Sequence, residues 1–212
     1  SKERTYLVMT ENTLNLDGSK TALLVVHLQP DIVSAHTAFG AMFNPQVVER
    51  DVLAKSKEAM DAVRDAGGLV VPLRIAFQPD YSDLKPSIPL LALAQGAGSL
   101  KDGTEDADIV PEVGVQEKDI VFTHKRPGPF TESNLQQLLD SEGIENVLVC
   151  GVATNASVEG SVRQASDLGY NTYVVEDASS AADQAAHDAA IATMALFGQA
   201  ISVAELKAAL TD

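Results

Sequence analysis

The feature that most constrains the fold is a regular alternation of short apolar runs with amphipathic segments. The apolar runs are rich in β-branched residues and predict strands at 21–28, 69–77, 119–125, 145–152, 171–178 and 200–203. Helical periodicity predicts helices at 45–66, 132–142, 155–168, 181–197 and 204–210. Because right-handed crossovers place helices on both faces of a parallel sheet, the pattern predicts a Rossmann-like three-layer α/β sandwich of about six parallel strands.

Two stretches fit this alternation less well. Pro72 lies inside the second predicted strand, where it removes a backbone donor and predicts interrupted pairing. Residues 78–117 have prolines, glycines and few periodic apolar positions, which predicts a long irregular lid or crossover. Residues 1–20 are polar and end in a turn signal, so we expect an N-terminal arm at 1–20 followed by one domain at 21–212.

Charge and composition exclude several classes of partner. The chain has 15 basic and 30 acidic residues, a net charge of −15, so nucleic acid and anionic membrane surfaces would be repelled. No apolar run reaches the roughly 18 residues that a membrane span requires, and no secretory signal is visible. We therefore expect a cytoplasmic protein. The one cysteine, Cys150, alternates within an apolar run and is expected to be a buried small hydrophobe.

Polar side chains follow three of the predicted strands. In an open parallel sheet, ligands bind beyond the carboxyl ends of the strands. That rule singles out three groups of residues: His27, Gln29 and Asp31; His124, Lys125 and Arg126; Ala153, Thr154, Asn155 and Ser157. We expect the three groups to converge on one small-molecule site, although polar residues also end apolar strands for structural reasons alone.

Three motifs resemble the isochorismatase-like cysteine hydrolases over roughly residues 20 to 205. They are the run GVATNASVEGSVRQASDLGYNTYVVEDA, the segment HKRPGPFTESNLQQLL and the opening strand TALLVVHLQPDIV. The resemblance implies hydrolysis of a small molecule by a catalytic triad of Asp, Lys and Cys. Lys125 matches the lysine, whereas His27 stands at the aspartate position and Ser157 at the position of the nucleophilic cysteine. It also implies a cis peptide at Val152–Ala153 and an oxyanion donor at the Ala153 backbone N–H.

The altered triad leaves several mechanisms open. A serine hydroxyl needs a positioned base, which could be the imidazole of His27 or a neutral Lys125. A vinyl ether could instead be cleaved by acid catalysis from a protonated His27. Ser157 could also be a helix-start residue or an engineered Cys-to-Ser replacement that traps substrate.

The sequence thus predicts a hydrolase acting on a small amide, ureido or ester-like molecule. The alternatives are a trapped cysteine amidohydrolase and a non-catalytic ligand-binding protein of the same fold. The expected substrate-contacting residues are Gln29, Arg74, Phe77, Phe130 and Asn155. Arg74 would suit a carboxylate through its bidentate fork, or could form a surface salt bridge.

No cofactor is expected. The four histidines, at 27, 36, 124 and 187, lack the Asp-x-His spacing that the nicotinamidase branch uses for a metal, and no Gly-rich phosphate loop is present. The resemblance also implies a homo-oligomer, either a dimer or a tetramer.

Overall fold

The computed structural model describes residues 13–211. The strands are β1 (Leu16–Asp17), β2 (Thr21–Val26), β3 (Leu69–Ile75), β4 (Phe122–His124), β5 (Asn146–Val152), β6 (Asn171–Ser180), β7 (Gln199–Ile201) and β8 (Leu210–Thr211). The α-helices are α1 (Pro30–Val33), α2 (Ala38–Glu49), α3 (Val52–Asp65), α4 (Pro89–Ala97), α5 (Leu135–Ser141), α6 (Glu159–Asp167), α7 (Gln184–Met194) and α8 (Val203–Ala209). Short 3₁₀ turns occupy Gly18–Lys20, Glu105–Ala107 and Pro111–Val113, and a π-helical turn spans Thr154–Val158.

The main sheet has six parallel strands in the order β4-β3-β2-β5-β6-β7, with helices on both faces. This confirms the predicted fold class. The strand order reverses between β2 and β5, which pair from Thr21↔Asn146 to Val26↔Gly151. A parallel sheet opens a crevice at such a reversal, because the connections after the two strands leave toward opposite faces.

The central strands bury both of their faces. Leu23 and Val25 of β2 belong to one apolar core together with Leu148 and Cys150, while alternate residues of the same strands enter a second core on the opposite face. This two-sided burial explains why β2 and β5 are continuous apolar runs. Burial also raises the pKa of the Cys150 thiol to about 12, so Cys150 is the buried small hydrophobe that the sequence predicts.

One predicted helix is two helices. The segment 45–66 is not continuous, because Asp51 adopts a left-handed backbone (φ 53°) between α2 and α3. α2 begins earlier than expected, with the Thr37 hydroxyl accepting a hydrogen bond from the Gly40 N–H, and Pro45 lies inside it. The apolar residues Phe39 and Phe43, which precede the predicted helix, thus belong to the buried side of α2.

The segment 78–117 is more ordered than predicted. It contains α4, which begins at Pro89 and ends at a left-handed Gly98 (φ 68°), as well as two of the 3₁₀ turns. Pro72 is also accommodated without a break, because it pairs in register with β2 and the edge strand β4 pairs with β3 only from Leu73 onward.

The chain ends of the described region lie together. Leu16 is buried and pairs with Leu210, so β1 and β8 form a two-stranded parallel sheet. Residues 1–12 of the predicted arm lie outside the described residues, and the boundary at residue 21 stays a prediction. Between residues 13 and 211, no helix combines the length and apolar character that crossing a membrane demands.

Candidate active site

A cavity opens where the strand order reverses. Its volume is about 50 Å³, and His27, Ala153 and Ser157 are among its lining residues. The rest of the lining is apolar: Ile32, Phe39, Phe43, Ile75, Leu90, Leu91, Leu100, Pro127, Val152 and Ala156. The two strands approach closely beneath it, because Gly151 has a φ of 118° and a Cβ there would collide with the carbonyl oxygen of Val26.

His27 follows β2 and is paired with a second histidine. Its backbone is left-handed (φ 52°), a conformation that histidine adopts more readily than most residues. Its Nε2 lies 2.9 Å from Nε2 of His124, and the two stacked rings have centroids 4.9 Å apart. The Nδ1 atom of His124 lies 2.7 Å from the carbonyl oxygen of Arg126. Both imidazoles are buried, with exposed fractions of 4% for His27 and 2% for His124.

Burial keeps both imidazoles neutral. Burial lowers the pKa of His27 well below its usual 6.5, with a smaller contribution from His124. Burial likewise lowers the pKa of His124 to about 4, against the hydrogen bond to Arg126, which acts to raise it. At neutral pH the pair therefore carries no charge.

Ser157 lies in the π-helical turn that connects β5 to α6. Its backbone carbonyl accepts a 2.6 Å hydrogen bond from the Ser161 hydroxyl, which ties the turn to the first turn of α6. The Ser157 hydroxyl has no hydrogen-bond partner among residues 13–211, and the residue lines the cavity. The preceding Val152–Ala153 peptide is cis. The nucleophile candidate is thus held by its backbone, and its side chain is available to a ligand.

Lys125 is directed elsewhere. Its Nζ donates to the carbonyl oxygen of Ala76 at 2.7 Å and lies 2.9 Å from a carboxylate oxygen of Asp83. Successive side chains on a strand point to opposite faces, so the alternation that turns Lys125 toward Asp83 turns His124 toward His27. The structure brings His27, Ala153 and Ser157 to one cavity, without Lys125 among the lining residues.

The sequence predicts that His124, Lys125 and Arg126 lie together at the site, with Lys125 as the catalytic member of the three. The structure instead turns His124 toward His27. Period-two alternation predicts that neighbouring side chains face opposite sides, but it does not decide which of them faces His27.

None of the five expected substrate-contacting residues lines the cavity. The Gln29 side chain is buried and clamps Ile75 and Ala107 through three backbone hydrogen bonds. Arg74 donates to the carbonyl oxygen of Ala107 and pairs with Asp102 and Asp108, which is the salt-bridge alternative. The other three are a fully buried Phe77, a Phe130 ring 6.3 Å from that of Tyr170, and an exposed Asn155.

A third buried histidine contacts the π-helical turn that contains Ser157. His187 of α7 is fully buried, with Nδ1 2.7 Å from the Thr154 hydroxyl and Nε2 2.9 Å from a carboxylate oxygen of Glu176. Arg50 pairs with the same carboxylate at 3.0 Å. Burial acts to raise the pKa of Glu176, but the hydrogen bonds from His187 and Arg50 prevail and lower it. Because both ring nitrogens of His187 have partners within the fold, this histidine is structural.

Metal-ligating side chains do not cluster in the described part of the chain. Within residues 13–211, no group of three or more His, Cys, Asp or Glu side chains is arranged to hold a metal ion.

The chain is similar in sequence and in fold to known proteins. A family model described as the isochorismatase domain matches residues 21–205. An uncharacterized isochorismatase family protein of Bacillus subtilis, YwoC, is 34% identical over 180 residues, covering 85% of this chain and 88% of its own. The ureidoacrylate amidohydrolase RutB of Rhizobium rhizogenes is 28% identical, over 78% of this chain and 72% of its own. Among solved structures, an isochorismatase family protein from Burkholderia thailandensis superposes with a TM-score of 0.76 at 29% identity, covering 94% of this chain and 99% of that one.

Proposed function

The chain belongs to the isochorismatase family of hydrolases, and from that premise we propose that it cleaves a small, uncharged acyl compound with Ser157 as its nucleophile. The single observation that carries the proposal is that Ser157 and a neutral His27 line the same cavity. A serine hydroxyl becomes an effective nucleophile only beside a base that can take its proton. His27 is the basic side chain that shares the cavity with it.

The protonation state of His27 supports this assignment. A general base must be unprotonated before reaction, and burial lowers the pKa of His27 below neutral pH. The same lowered pKa argues against the acid-catalysed route to a vinyl ether, because that route requires a protonated His27. The low pKa also makes His27 a weak base, so we expect slow turnover at physiological pH.

Lys125 is a less suitable base. Its amine would have to leave the Asp83 carboxylate and the Ala76 carbonyl oxygen and turn toward a cavity that it does not line. We therefore assign Lys125 to the support of the loop that carries Asp83, and we keep the backbone N–H groups of Ala153 and Ser157 as the proposed oxyanion donors.

The cavity lining points to the class of substrate. Its side chains are apolar apart from His27 and Ser157, and they include no Arg or Lys to bind a carboxylate. Two relatives are named ureidoacrylate amidohydrolases, so the C–N bond of a ureido or amide group is one candidate for cleavage. The apolar walls favour neutral esters and amides with short aliphatic or aromatic acyl groups.

The experiment compares the parent chain with Ser157→Ala and Ser157→Cys on a panel of neutral short-chain esters and amides. We expect measurable ester hydrolysis by the parent, and its loss in Ser157→Ala. A fluorophosphonate should label the parent on Ser157, with the serine oxygen replacing fluoride on phosphorus, and the adduct is read by intact-protein mass spectrometry.

Two results would overturn the proposal. Activity that survives in Ser157→Ala would remove the serine from the mechanism. A parent that binds panel compounds but neither hydrolyses nor labels would indicate the ligand-binding alternative, and a Ser157→Cys variant that hydrolyses the panel would then indicate a trapped cysteine enzyme.

The expected homo-oligomer and cytoplasmic location stay predictions. Light scattering on the purified chain tests the first, and a dimer or tetramer is the expected result.

A further inference from the structure

We infer that His124 is a positioning residue that fixes the orientation and tautomer of His27, so that Ser157, His27 and His124 act as one chain of proton donors and acceptors. The catalytic part of this inference rests on the proposed function. The structural part rests on the hydrogen bonds that the two imidazoles make, and it is tested separately below.

The first link in the chain is the contact between His124 and Arg126. A backbone carbonyl oxygen only accepts hydrogen bonds, so the Nδ1 atom of His124, 2.7 Å from that oxygen, must carry the hydrogen. With a pKa of about 4, His124 has a single ring hydrogen at neutral pH. Its Nε2 atom is therefore a bare lone pair.

The second link follows from the first. The 2.9 Å contact between the two Nε2 atoms needs one hydrogen between them, and His124 has none at that position. The hydrogen must therefore belong to Nε2 of His27. Because His27 is also neutral, its Nδ1 atom has no hydrogen and is free to accept one. The pair thus holds His27 in the tautomer whose basic nitrogen is not engaged with His124.

The position of the cavity decides which imidazole reacts. His27 lines the cavity and His124 does not, so His27 meets the substrate while His124 holds it from behind. Gln29 and Asp31, the other polar side chains after β2, are unavailable for this purpose, because Gln29 clamps backbone groups and Asp31 accepts a hydrogen bond from the Leu100 N–H.

The proposed reaction transfers the acyl group to Ser157 and the hydroxyl proton to the leaving group. The Ser157 oxygen bonds to the acyl carbon, the π pair of the carbonyl moves to its oxygen, and the hydroxyl proton passes to Nδ1 of His27. His27 then carries both ring hydrogens and still donates from Nε2 to His124. The Nδ1 proton next passes to the leaving oxygen or nitrogen as the acyl bond breaks, and water releases the acyl group from Ser157 by the same route.

Few charged groups face the pair. Lys125 follows His124 directly after β4 and acts to lower the pKa of His124, while Asp83 lies 2.9 Å from its amine. Arg126 follows on the same segment and offers its carbonyl oxygen to His124. No carboxylate of the described residues forms a hydrogen bond with either imidazole. His124 therefore acts by orientation, without the charge stabilisation that a carboxylate would give to the imidazolium.

The tautomers can be read without any substrate. Long-range ¹H–¹⁵N correlation spectra of the ¹⁵N-histidine-labelled full chain should show His27 protonated at Nε2 and His124 at Nδ1 at pH 7. His27→Asn and His124→Gln assign the signals, and His36, an exposed histidine whose Nε2 lies 3.2 Å from an Asp106 carboxylate oxygen, is assigned in the same way with His36→Gln. A His27 signal protonated at Nδ1, or one that shows a mixture of the two tautomers, would overturn the inference whether or not the protein is a hydrolase.

Activity variants test the catalytic role. His124→Gln and His124→Glu both place an oxygen acceptor near the former Nε2, and they differ only in charge, whereas His124→Met fills the space without an acceptor. We expect kcat to fall about 10²-fold in Met and less than about tenfold in Gln, with KM nearly unchanged. The carboxylate in Glu should raise the pKa of His27, moving the acid limb of kcat/KM upward by about one to three pH units relative to Gln.

The outcomes separate the two hypotheses. If kcat falls equally in His124→Gln and His124→Met, His124 does not position His27. The same conclusion follows if the acid limb of the kcat/KM profile is the same in His124→Gln and His124→Glu. If Ser157→Ala retains activity, the proposed function fails, and the tautomer spectra alone decide the structural part. His36→Gln is the matched control and should leave both kcat and the spectra of the other histidines unchanged.

Discussion

Two buried histidine clusters, one around His187 and one around His27, lie near the π-helical turn at Thr154–Val158. They differ in how many of their ring nitrogens have hydrogen-bond partners. Around His187, both ring nitrogens are bound, one to the Thr154 hydroxyl and one to the Glu176 carboxylate, which Arg50 also neutralises. Around His27, the only side-chain hydrogen-bond partner among residues 13–211 is another imidazole, and His27 lines an apolar cavity.

This difference indicates which of the two histidines is available to accept a proton. A side chain whose hydrogen-bonding capacity is saturated stabilises the fold, because changing its protonation would break existing bonds. A neutral imidazole with an unused lone pair can accept a proton without breaking an existing hydrogen bond. Under the proposed function, the same residue type would therefore serve the fold at His187 and the reaction at His27.

The strongest way to break this comparison is to make one substitution at both positions. Asparagine tolerates the left-handed backbone of His27. We expect His27→Asn to lower kcat on the ester panel by about 10⁴-fold and to change the free energy of unfolding by less than about 1 kcal/mol. Ester assays and urea denaturation measure the two effects. A fully active His27→Asn would show that the unused lone pair performs no function.

His187→Asn should show the opposite balance. It removes a partner from the buried Thr154 hydroxyl and from Glu176, which is partly exposed and keeps its ion pair with Arg50, so we expect a loss of about 3 kcal/mol in the free energy of unfolding. Urea denaturation with His36→Gln as the exposed control measures it. Unchanged stability would mean that the saturated cluster is not structural.

The two neutral imidazoles also predict how stability depends on pH. The folded pKa of His124, about 4, lies below its usual value of 6.5, so the unfolded chain binds a proton that the folded chain rejects. The stabilising contribution is complete above pH 6.5 and is lost as pH falls. The loss reaches about 3 kcal/mol by pH 4. As pH falls from 7 to 4, the melting temperature of the parent should therefore decrease more steeply than that of His124→Gln. Parallel curves would contradict the lowered pKa.

The smallest expected effect is at Lys125. Its ion pair with Asp83 is more than a third exposed on the lysine side, so Lys125→Met should cost less than about 1 kcal/mol of stability. Because the amine does not line the cavity, kcat should fall less than about tenfold. A loss of the size expected for His27→Asn would restore Lys125 as the base and would undo the comparison between the two clusters.

The sheet was predictable from the sequence because its strands are buried on both faces. Such strands are continuous β-branched runs, and their alternation with helices permits few topologies. The long helix at 45–66 failed because a single left-handed residue, Asp51, breaks it without any proline or glycine. α4 was missed because its few residues are nearly all apolar and show no clear period.

The site was predictable only in part. Topology led to His27, Ala153 and Ser157, since they follow the two strands at the reversal. The exchange of Lys125 for His124 depends on how β4 aligns with β3, where His124 pairs with Ile75, and this is set by strand register rather than by composition. The apolar walls come from α1, α2, α4 and the segment before residue 101, whose approach to the sheet is a tertiary property.

Gly151 limits how a pocket of this kind can be altered. Since its missing side chain lets the two central strands approach closely, no side chain can be introduced at that position without displacing the Val26 backbone. A change of selectivity must instead come from the side chains that line the cavity, several of which lie on helices. Libraries that vary Phe39, Phe43, Leu90 and Leu91 should therefore yield new preferences, whereas diversification at Gly151 should yield mostly misfolded chains.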